Sequence, residues 1–481
     1  MLATATGSGT RVLMMISSRT GFAHNIDLSR FRHAIDDEAS ELSSFARSLR
    51  VRTQTRPGAF DRPIDDMKSA LKAADAPAAA EGALEICGRQ LRRLWLDAAS
   101  SAANRSYRSP TTAQFVATAT GHSTNFGYER ELQPTELEQR CTSFFGSAPD
   151  GWTVDHALVS SGQAAMATVL HLLGSLKPLS DKRPLSLAHL GAYFETTEIL
   201  ALFSSLLKVI ASGREALTCK WEISPEIVLI EPIFYDGKFE NVDIAALSRK
   251  LYRARTKAKI VIFDDTLIGA ANHPEDDLKK LQAISPSAVL RLSSGLKLLQ
   301  GGLELANVGI ISIYTPDTGP LRAANIGAVV RRIRALFGLG LRLADVAALE
   351  APWFLDRDHT DKYQDAVFAN NARLAAALAD SGKFFENVSH PVLDCARGGA
   401  PFCVFGLRDK NLQAYYRLER LVKEESQKRK IHFEQGGSFG FRGHRFEVVR
   451  PDNTAPFLRV AMGRRAGWSL EGIVALLREL S

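Results

Sequence analysis

The sequence predicts an α/β fold: a large domain built on a mainly parallel sheet of the seven-stranded type, followed by a smaller C-terminal α+β domain. Three observations predict it. Between residues 157 and 292, short apolar runs alternate with helix-like stretches, the pattern of strands buried on both faces and joined by helical crossovers. Ser161, Tyr193, Glu231, Asp264 and Lys297 fall at the C-terminal ends of those runs, where open α/β sheets assemble their sites. After residue 318 the alternation gives way to long helical stretches and then to shorter strand-like runs.

In order along the chain, residues 1–105 read as an added helical segment. Asp36–Thr53 and Pro63–Arg105 have helical spacing, with a break expected at Pro77. Leu71, Leu84, Ile86, Leu91, Leu94 and Trp95 are expected to form its apolar stripe, and Arg89, Arg92 and Arg93 its outer face. This segment carries no evident chemistry, and a docking or oligomerisation role is the expectation. Residues 106–156 form a connecting arm. Pro134-Thr135, followed by Glu136 and Glu138, opens a helix running to Phe145. Just upstream, Tyr128 and Arg130 stand two residues apart; in an extended segment they point the same way and can hold one anion, or they belong to an ordinary surface loop.

The domain expected over 157–318 begins with a strand ending at Ser160-Ser161-Gly162. The Ala-rich helix that follows offers the N–H groups of Gly162 and Gln163 to a phosphate. Strands are expected at Pro184–His189, Ile227–Glu231, Lys259–Phe263 and Ala288–Leu292, with helices at Glu195–Leu207 and Val242–Thr256. The last strand leads into Lys297, set behind Ser293, Ser294 and Gly295 and ahead of Gly301 and Gly302. Alone, such a lysine reads as a solvated amine in a turn. Beyond residue 318, helices are expected at Leu321–Ala348, Thr360–Asp380 and Ser469–Leu480, and strands at Phe402–Leu407, Phe446–Val449 and Phe457–Val460. Alternation on the last strand directs Arg459 opposite to Leu458 and Val460.

Composition narrows the class. The chain has 481 residues, 45% of them hydrophobic and 23% charged, an ordinary globular balance. No apolar run approaches the ~20 residues that span a bilayer, and the run Val12–Ile16 is too short for a signal-peptide core. Five scattered cysteines, with no CxxC pair and no His/Cys cluster, suggest neither a disulfide framework nor a metal site and point to a reducing cytoplasm. The net charge of +7 is spread along the chain, and no nucleic-acid recognition motif accompanies it.

An imine-forming lysine, a strand-end aspartate, a phosphate-binding helix start and an aromatic residue together suit pyridoxal 5'-phosphate. Lys297 attaches the cofactor and shuttles protons. Asp264 keeps the pyridine nitrogen protonated, Tyr193 stacks on the ring, and Gly162, Gln163, Ser161 and Ser294 take the phosphate.

In order from about residue 120 to 470, these residues resemble the Cys/Met-metabolism enzymes of fold-type I, the family of cystathionine γ-synthase, cystathionine γ-lyase and methionine γ-lyase. YERELQPTELEQ resembles the family's Y-x-R…NPT…LE segment, and SSGQAAM its SGMAA. Tyr193-Phe194-Glu195-Thr196 stands where the family has Y-G-G-T, Asp264-Asp265-Thr266 resembles D-N-T, and Ser294-Gly295-Leu296-Lys297 resembles S-A-T-K. Ser438-Phe439-Gly440 resembles S-L-G, and Leu458-Arg459-Val460 the strand whose arginine clamps the substrate α-carboxylate. The resemblance implies that Tyr128 and Arg130 reach the cofactor phosphate of a neighbouring subunit, so that a homodimer or homotetramer shares its sites. It implies an amino-acid substrate attacked at Cγ, with Tyr193 a second acid/base group if its phenol is depressed, and Arg459 and Ser438 on the substrate side.

The departures imply an altered pocket. Asp265 adds a carboxylate near the site, Leu296 removes a phosphate hydroxyl, and Phe194-Glu195 makes a bulkier, charged wall. Tyr235 or Asp236 stands near the family's ring-oxygen asparagine, and Arg464 replaces an acidic residue. The expected reaction is γ-replacement on a homoserine- or methionine-derived amino acid, S-adenosylmethionine among the candidates, with C–C bond formation and a nucleotide-like or thiol co-substrate. The alternatives are an ordinary cystathionine or O-acylhomoserine sulfur enzyme, or a non-catalytic scaffold.

Overall fold

The uninterrupted apolar runs fold as strands without a solvent face: Ile227–Ile230 and Ile260–Phe263 are buried along their whole length. The structure is a computed structural model and describes residues 28–53, 57–109, 114–177, 183–235, 238–253, 258–269, 274–380, 384–394, 398–451 and 455–480. Val12–Ile16 and Asp236 lie outside them.

Among the described residues three α-helices come first, α1 (Arg32–Arg52), α2 (Asp61–Ala73) and α3 (Pro77–Asn104). A hairpin of β1 (Gln114–Ala117) and β2 (Ser123–Phe126) leads to α4 (Thr135–Phe145). Then follow β3 (Trp152–Val159), α5 (Gly162–Leu176), β4 (Leu185–Leu190), α6 (Phe194–Leu202), β5 (Leu207–Ser212) and β6 (Ile227–Ile230). After the small hairpin of β7 (Ile233–Tyr235) and β8 (Phe239–Asn241) come α7 (Ile244–Arg253), β9 (Ile260–Asp264), α8 (Pro274–Leu281), β10 (Ala288–Ser294) and β11 (Gly309–Pro316).

Among the described residues, seven strands form the large sheet in the order β3-β11-β10-β9-β6-β4-β5. The pairs from β10 through β5 are parallel, and β11 runs antiparallel to both its neighbours. Val169, Leu172 and Val330 pack on one face against Leu290 and Ile311. Leu247, Leu251 and Leu278 pack on the other against Val228 and Val261. Each such buried side chain contributes about 1.5–3 kcal/mol of transfer free energy.

The chain continues through α9 (Ala323–Phe337), α10 (Leu343–Leu349) and α11 (Arg357–Leu378). It then forms β12 (Phe385–Ser389), β13 (Cys403–Leu407), α12 (Leu412–Lys428), β14 (Phe433–Gln435), β15 (His444–Val449), β16 (Phe457–Ala461) and α13 (Trp468–Leu480). These strands make a second sheet, ordered β12-β13-β16-β15-β14.

The structure departs from the sequence reading at several points. The helix expected over Glu195–Leu207 ends at Leu202, and the chain turns into the edge strand β5. The stretch Leu321–Ala348 is two helices, because Gly338 closes the first in the left-handed conformation and Leu339 N–H caps the Arg334 carbonyl at 2.9 Å. Ile86 is 59% exposed and not part of the stripe, whereas Leu84, Leu91 and Trp95 are buried. Arg92 turns inward, donating to the carbonyls of Leu303 and Glu304, because those carbonyls lie in an irregular loop with no ladder of their own.

Candidate active site

The strands of a parallel sheet deliver their last residues to one edge, and here that edge faces the second sheet. Between them lies a cavity of about 560 Å³. Ser161, Gly162, Gln163, Tyr193 and Asp264 line it from the large sheet together with Ser294 and Lys297. Ser438 and Arg459 line it from the small domain.

At the first strand end Ser161 caps α5, its Oγ accepting the Ala164 N–H at 3.0 Å. Helix geometry leaves the N–H groups of Gly162 and Gln163 without intrahelical partners, beside the positive end of the helix dipole. A Cβ on Gly162 would stand 3.0 Å from the Cβ of Ser294, so the two walls meet closely at this point.

Lys297 reaches into the cavity with its ammonium 4.2 Å from the centre of the Phe439 ring. Burial, and next the charge of Arg459, lower its pKa to about 8. Asp264 accepts the Thr266 N–H at 3.0 Å. Burial pushes its carboxyl upward, with Glu231 adding to the effect. Thr266 also receives the Ser294 N–H through its Oγ1 at 3.0 Å, tying the aspartate turn to the lysine loop.

Tyr193 stands on a turn that Glu231 holds: that buried carboxylate accepts the N–H groups of Ala192 and Tyr193 at 2.8 and 2.9 Å and contacts His189 at 3.2 Å. The Tyr193 phenol is pushed above its ordinary range, first by burial and then by hydrogen bonding to Glu195. The condition for an acid/base role, a depressed phenol, is not met within this chain, where burial outweighs the nearby cation Arg459. Glu195 also accepts a hydrogen bond from the Gln163 amide.

Arg459 faces the cavity as alternation requires, and its Nε donates to Glu447 Oε1 at 2.8 Å. The same oxygen accepts the Ser438 N–H at 3.0 Å. Glu447 escaped sequence reasoning; a glutamate inside a short strand-like run carries no local signature, and only the contacts give it a role, whereas Glu231 was placed at a strand end but given no task.

Two expectations about the surroundings change. Asp265 does not add a carboxylate to the cavity. It points away from Asp264, is buried, and takes Arg291 through bonds of 2.6 and 2.9 Å, with Asp277 on the same guanidinium at 3.0 Å. Arg464 is turned away from the cavity as well, pairing with Asp37 and Glu41 of α1 at 2.7 and 2.9 Å.

Tyr128 and Arg130 do not line this cavity. Both are exposed: Arg130 is on the 3₁₀ turn Glu129–Glu131, Tyr128 is the extended residue that opens it, and the guanidinium lies 4.6 Å over the tyrosine ring. One further residue organises the site. Gln300, fully buried, donates to the carbonyls of Gly295 and Ala306 and accepts the N–H groups of Leu305 and Ala306, closing the loop that carries Lys297.

The donor set fits a phosphate-bearing aromatic aldehyde. A helix start and Ser294 face one end of the cavity, a neutralisable half-buried amine stands ready for the aldehyde, and a half-buried carboxylic acid suits a ring nitrogen.

No protein-family model matches the chain, and no curated protein matches it by sequence. By structure it is similar to a methionine gamma lyase from Micromonospora echinospora: TM-score 0.51, 18% identity, 78% of this chain and 92% of that chain covered. It is similar to cystathionine gamma-lyase from yeast: TM-score 0.52, 14% identity, 80% and 98% covered. It is also similar to a Campylobacter jejuni protein described as an O-acetylhomoserine (thiol)-lyase and solved with a pyridoxyl-lysine phosphate: TM-score 0.52, 14% identity, 74% and 88% covered. The chain therefore has the fold shared by these proteins, the fold-type I architecture of mainly parallel sheet and smaller C-terminal domain.

Proposed function

We propose that the chain is a pyridoxal 5'-phosphate-dependent enzyme acting at Cγ of an amino acid. The observation that carries this is one cavity shared by Lys297, whose amine is neutral above about pH 8, the half-buried acid Asp264, and the start of α5. The solved relatives named above are lyases of this kind, which supports the reading. Bound pyridoxal phosphate supplies an electron sink for charge developing at Cα and Cβ.

The chain's own residues then divide the work. Lys297 would hold the aldehyde through its amine, and that amine would take a proton from Cα and move the next at Cβ. Asp264 holds a proton against the ring nitrogen. Tyr193 covers the ring, its phenol held protonated by burial. Ser161, Gly162, Gln163 and Ser294 hold the phosphate. Arg459, held side-on by Glu447, receives the α-carboxylate, with Ser438 beside it. Glu195 and Phe194 form the outer wall, where a cationic or bulky γ-substituent is accommodated.

In this reading the reaction is γ-replacement on a homoserine- or methionine-derived amino acid, with S-adenosylmethionine as a candidate donor and a carbon nucleophile, thiol or nucleotide-like acceptor. Residues 1–105 are an N-terminal helical extension, 106–156 an arm, 157–318 the cofactor-binding domain and 319–481 the small domain. Tyr128 and Arg130, exposed on the arm, serve the cofactor phosphate of a neighbouring copy in a homodimer or homotetramer. The free thiols of Cys87, Cys141, Cys219 and Cys403 suit a reducing cytoplasm, and no helix of the described residues is long and apolar enough to cross a membrane.

The absorbance spectrum tests the class. Purified protein given pyridoxal phosphate gains a band near the visible edge that Lys297→Ala does not form; a protein that stays colourless overturns the proposal. Incubation with O-acylhomoserines, cystathionine, methionine and S-adenosylmethionine tests the reaction. Ammonia and 2-oxobutanoate released without a co-substrate would mean lysis, not obligate replacement.

A further inference from the structure

The lysine loop is held from outside by the first helices of the chain. It leaves β10 at Ser294 and passes through Gly301 and Gly302, both in the left-handed region. At Gly302 a Cβ would fall 2.0 Å from the Tyr363 hydroxyl and 2.6 Å from the Arg442 backbone nitrogen, so this turn is pressed against the small domain. A Cβ on Gly440 would likewise stand 2.7 Å from the Lys297 carbonyl oxygen. Arg442 then reaches back, its Nη1 donating to the Gly301 carbonyl at 3.3 Å.

What fixes Arg442 is α1. Glu38 is 1% exposed; its Oε1 takes Arg442 Nη2 at 3.0 Å and Arg465 Nη2 at 3.2 Å, and its Oε2 takes Arg465 Nε at 3.0 Å. Glu41 lies 2.7 Å from Arg442 and 2.9 Å from Arg464, and Asp37 2.7 Å from Arg464. Three carboxylates of one helix thus meet three guanidiniums of the small domain, and Glu85 of α3 stands 3.7 Å from Arg465, so none is left as an isolated buried charge. Phe45, one turn along the same face, packs on Gly301, where a Cβ would stand 3.0 Å from its ring. From α3, Arg92 holds the Leu303 and Glu304 carbonyls at 2.7 and 2.8 Å. The apolar core of these helices is continuous with Leu299, Leu303 and Val308 of the loop.

We infer that the N-terminal helices position the Lys297 loop, and that Glu38 is the positioning residue that sets it, through Arg442 and the Gly301 carbonyl. The functional consequence rests on the cofactor reading above: Glu38 touches neither cofactor nor substrate and acts by fixing where the amine stands. The charge of Glu38 is the operative feature, since an amide of the same size can accept one guanidinium bond but balances no positive charge.

The test uses full-length Glu38→Gln, Glu38→Asp and Arg92→Gln proteins, with two readouts. The first is hydrogen exchange over residues 296–306 in the cofactor-free protein; the second is pyridoxal phosphate titration followed by absorbance. Glu38→Gln is expected to speed exchange in that loop at least tenfold and weaken cofactor binding at least tenfold, while exchange in residues 288–293 of β10 is unchanged. Glu38→Asp, which keeps the charge, recovers part of both. Arg92→Gln, at a part-exposed position, loosens the same loop and serves if Glu38→Gln does not fold. Loop exchange equal to wild type in the folded variants overturns the inference, and so does an equal rise in β10, which would mean general destabilisation. If the wild type gains no cofactor band, the proposed function fails while the exchange result still decides the positioning role.

Discussion

Replacing Gln300 by leucine should unfasten the catalytic loop while leaving the sheet intact. The Gln300 amide nitrogen donates at 3.0 Å to Gly295 and at 2.6 Å to Ala306, and its oxygen accepts at 2.6 Å from Leu305 and 3.2 Å from Ala306. Leucine has similar bulk and none of these groups. Four backbone bonds are lost where no solvent reaches, and at about 1 kcal/mol for each the local cost is about 4 kcal/mol. That is comparable with a domain's whole margin of ~5–15 kcal/mol, so the loop opens before the fold does. Each 1.4 kcal/mol is a factor of ten in an equilibrium, so exchange of the Leu305 and Ala306 amides should quicken by roughly 10³. Hydrogen exchange read by mass spectrometry over 295–306 measures this, with β9 and β10 as the internal reference. Wild-type protection of Leu305 and Ala306 in Gln300→Leu would refute the claim that this side chain closes the loop.

Two further outcomes follow from the same geometry. In cofactor-free protein, modification of Lys297 by an amine-specific acylating reagent should rise through a midpoint near pH 8, against an ordinary lysine near 10.5, because burial and Arg459 both disfavour its charged form. The sign carries over to stability: between those values the unfolded chain holds more protons, so this lysine's unfavourable contribution is relieved as pH rises through the window. Arg459→Gln should move the midpoint up, and a midpoint at or above 10.5 in the wild type would contradict the burial argument. Mixed dimers of Arg130→Ala and Lys297→Ala chains should recover one working site in two if the arm serves its neighbour; verified heterodimers without activity would remove that role from Tyr128 and Arg130.

The strands were legible because a fully buried strand must be apolar along its length, and Ile227–Ile230 and Ile260–Phe263 announce themselves in that way. Their C-terminal ends then placed Ser161, Tyr193, Asp264 and Lys297 on one edge before any contact was known. The second carboxylate beside Asp264 misled, because adjacency in sequence at a strand end means opposite faces, and Asp265 belongs to Arg291 on the far side. The edge strand β5 was hidden in an apolar stretch continuous with the preceding helix, since periodicity over so few residues does not separate the two.

By itself, then, the sequence determined which segments are buried and which chemical groups stand at the ends of the strands, because burial and alternation are local properties of the chain. Only the tertiary structure decided what holds those groups in place. Glu38 meets Arg465 and Arg92 meets Leu303 only after the first helices have packed on the rest of the chain, and Glu447 meets Arg459 only through the register of β15 on β16. A buried charge takes whichever partner the fold brings within about 3 Å, and no spacing along the chain encodes that choice.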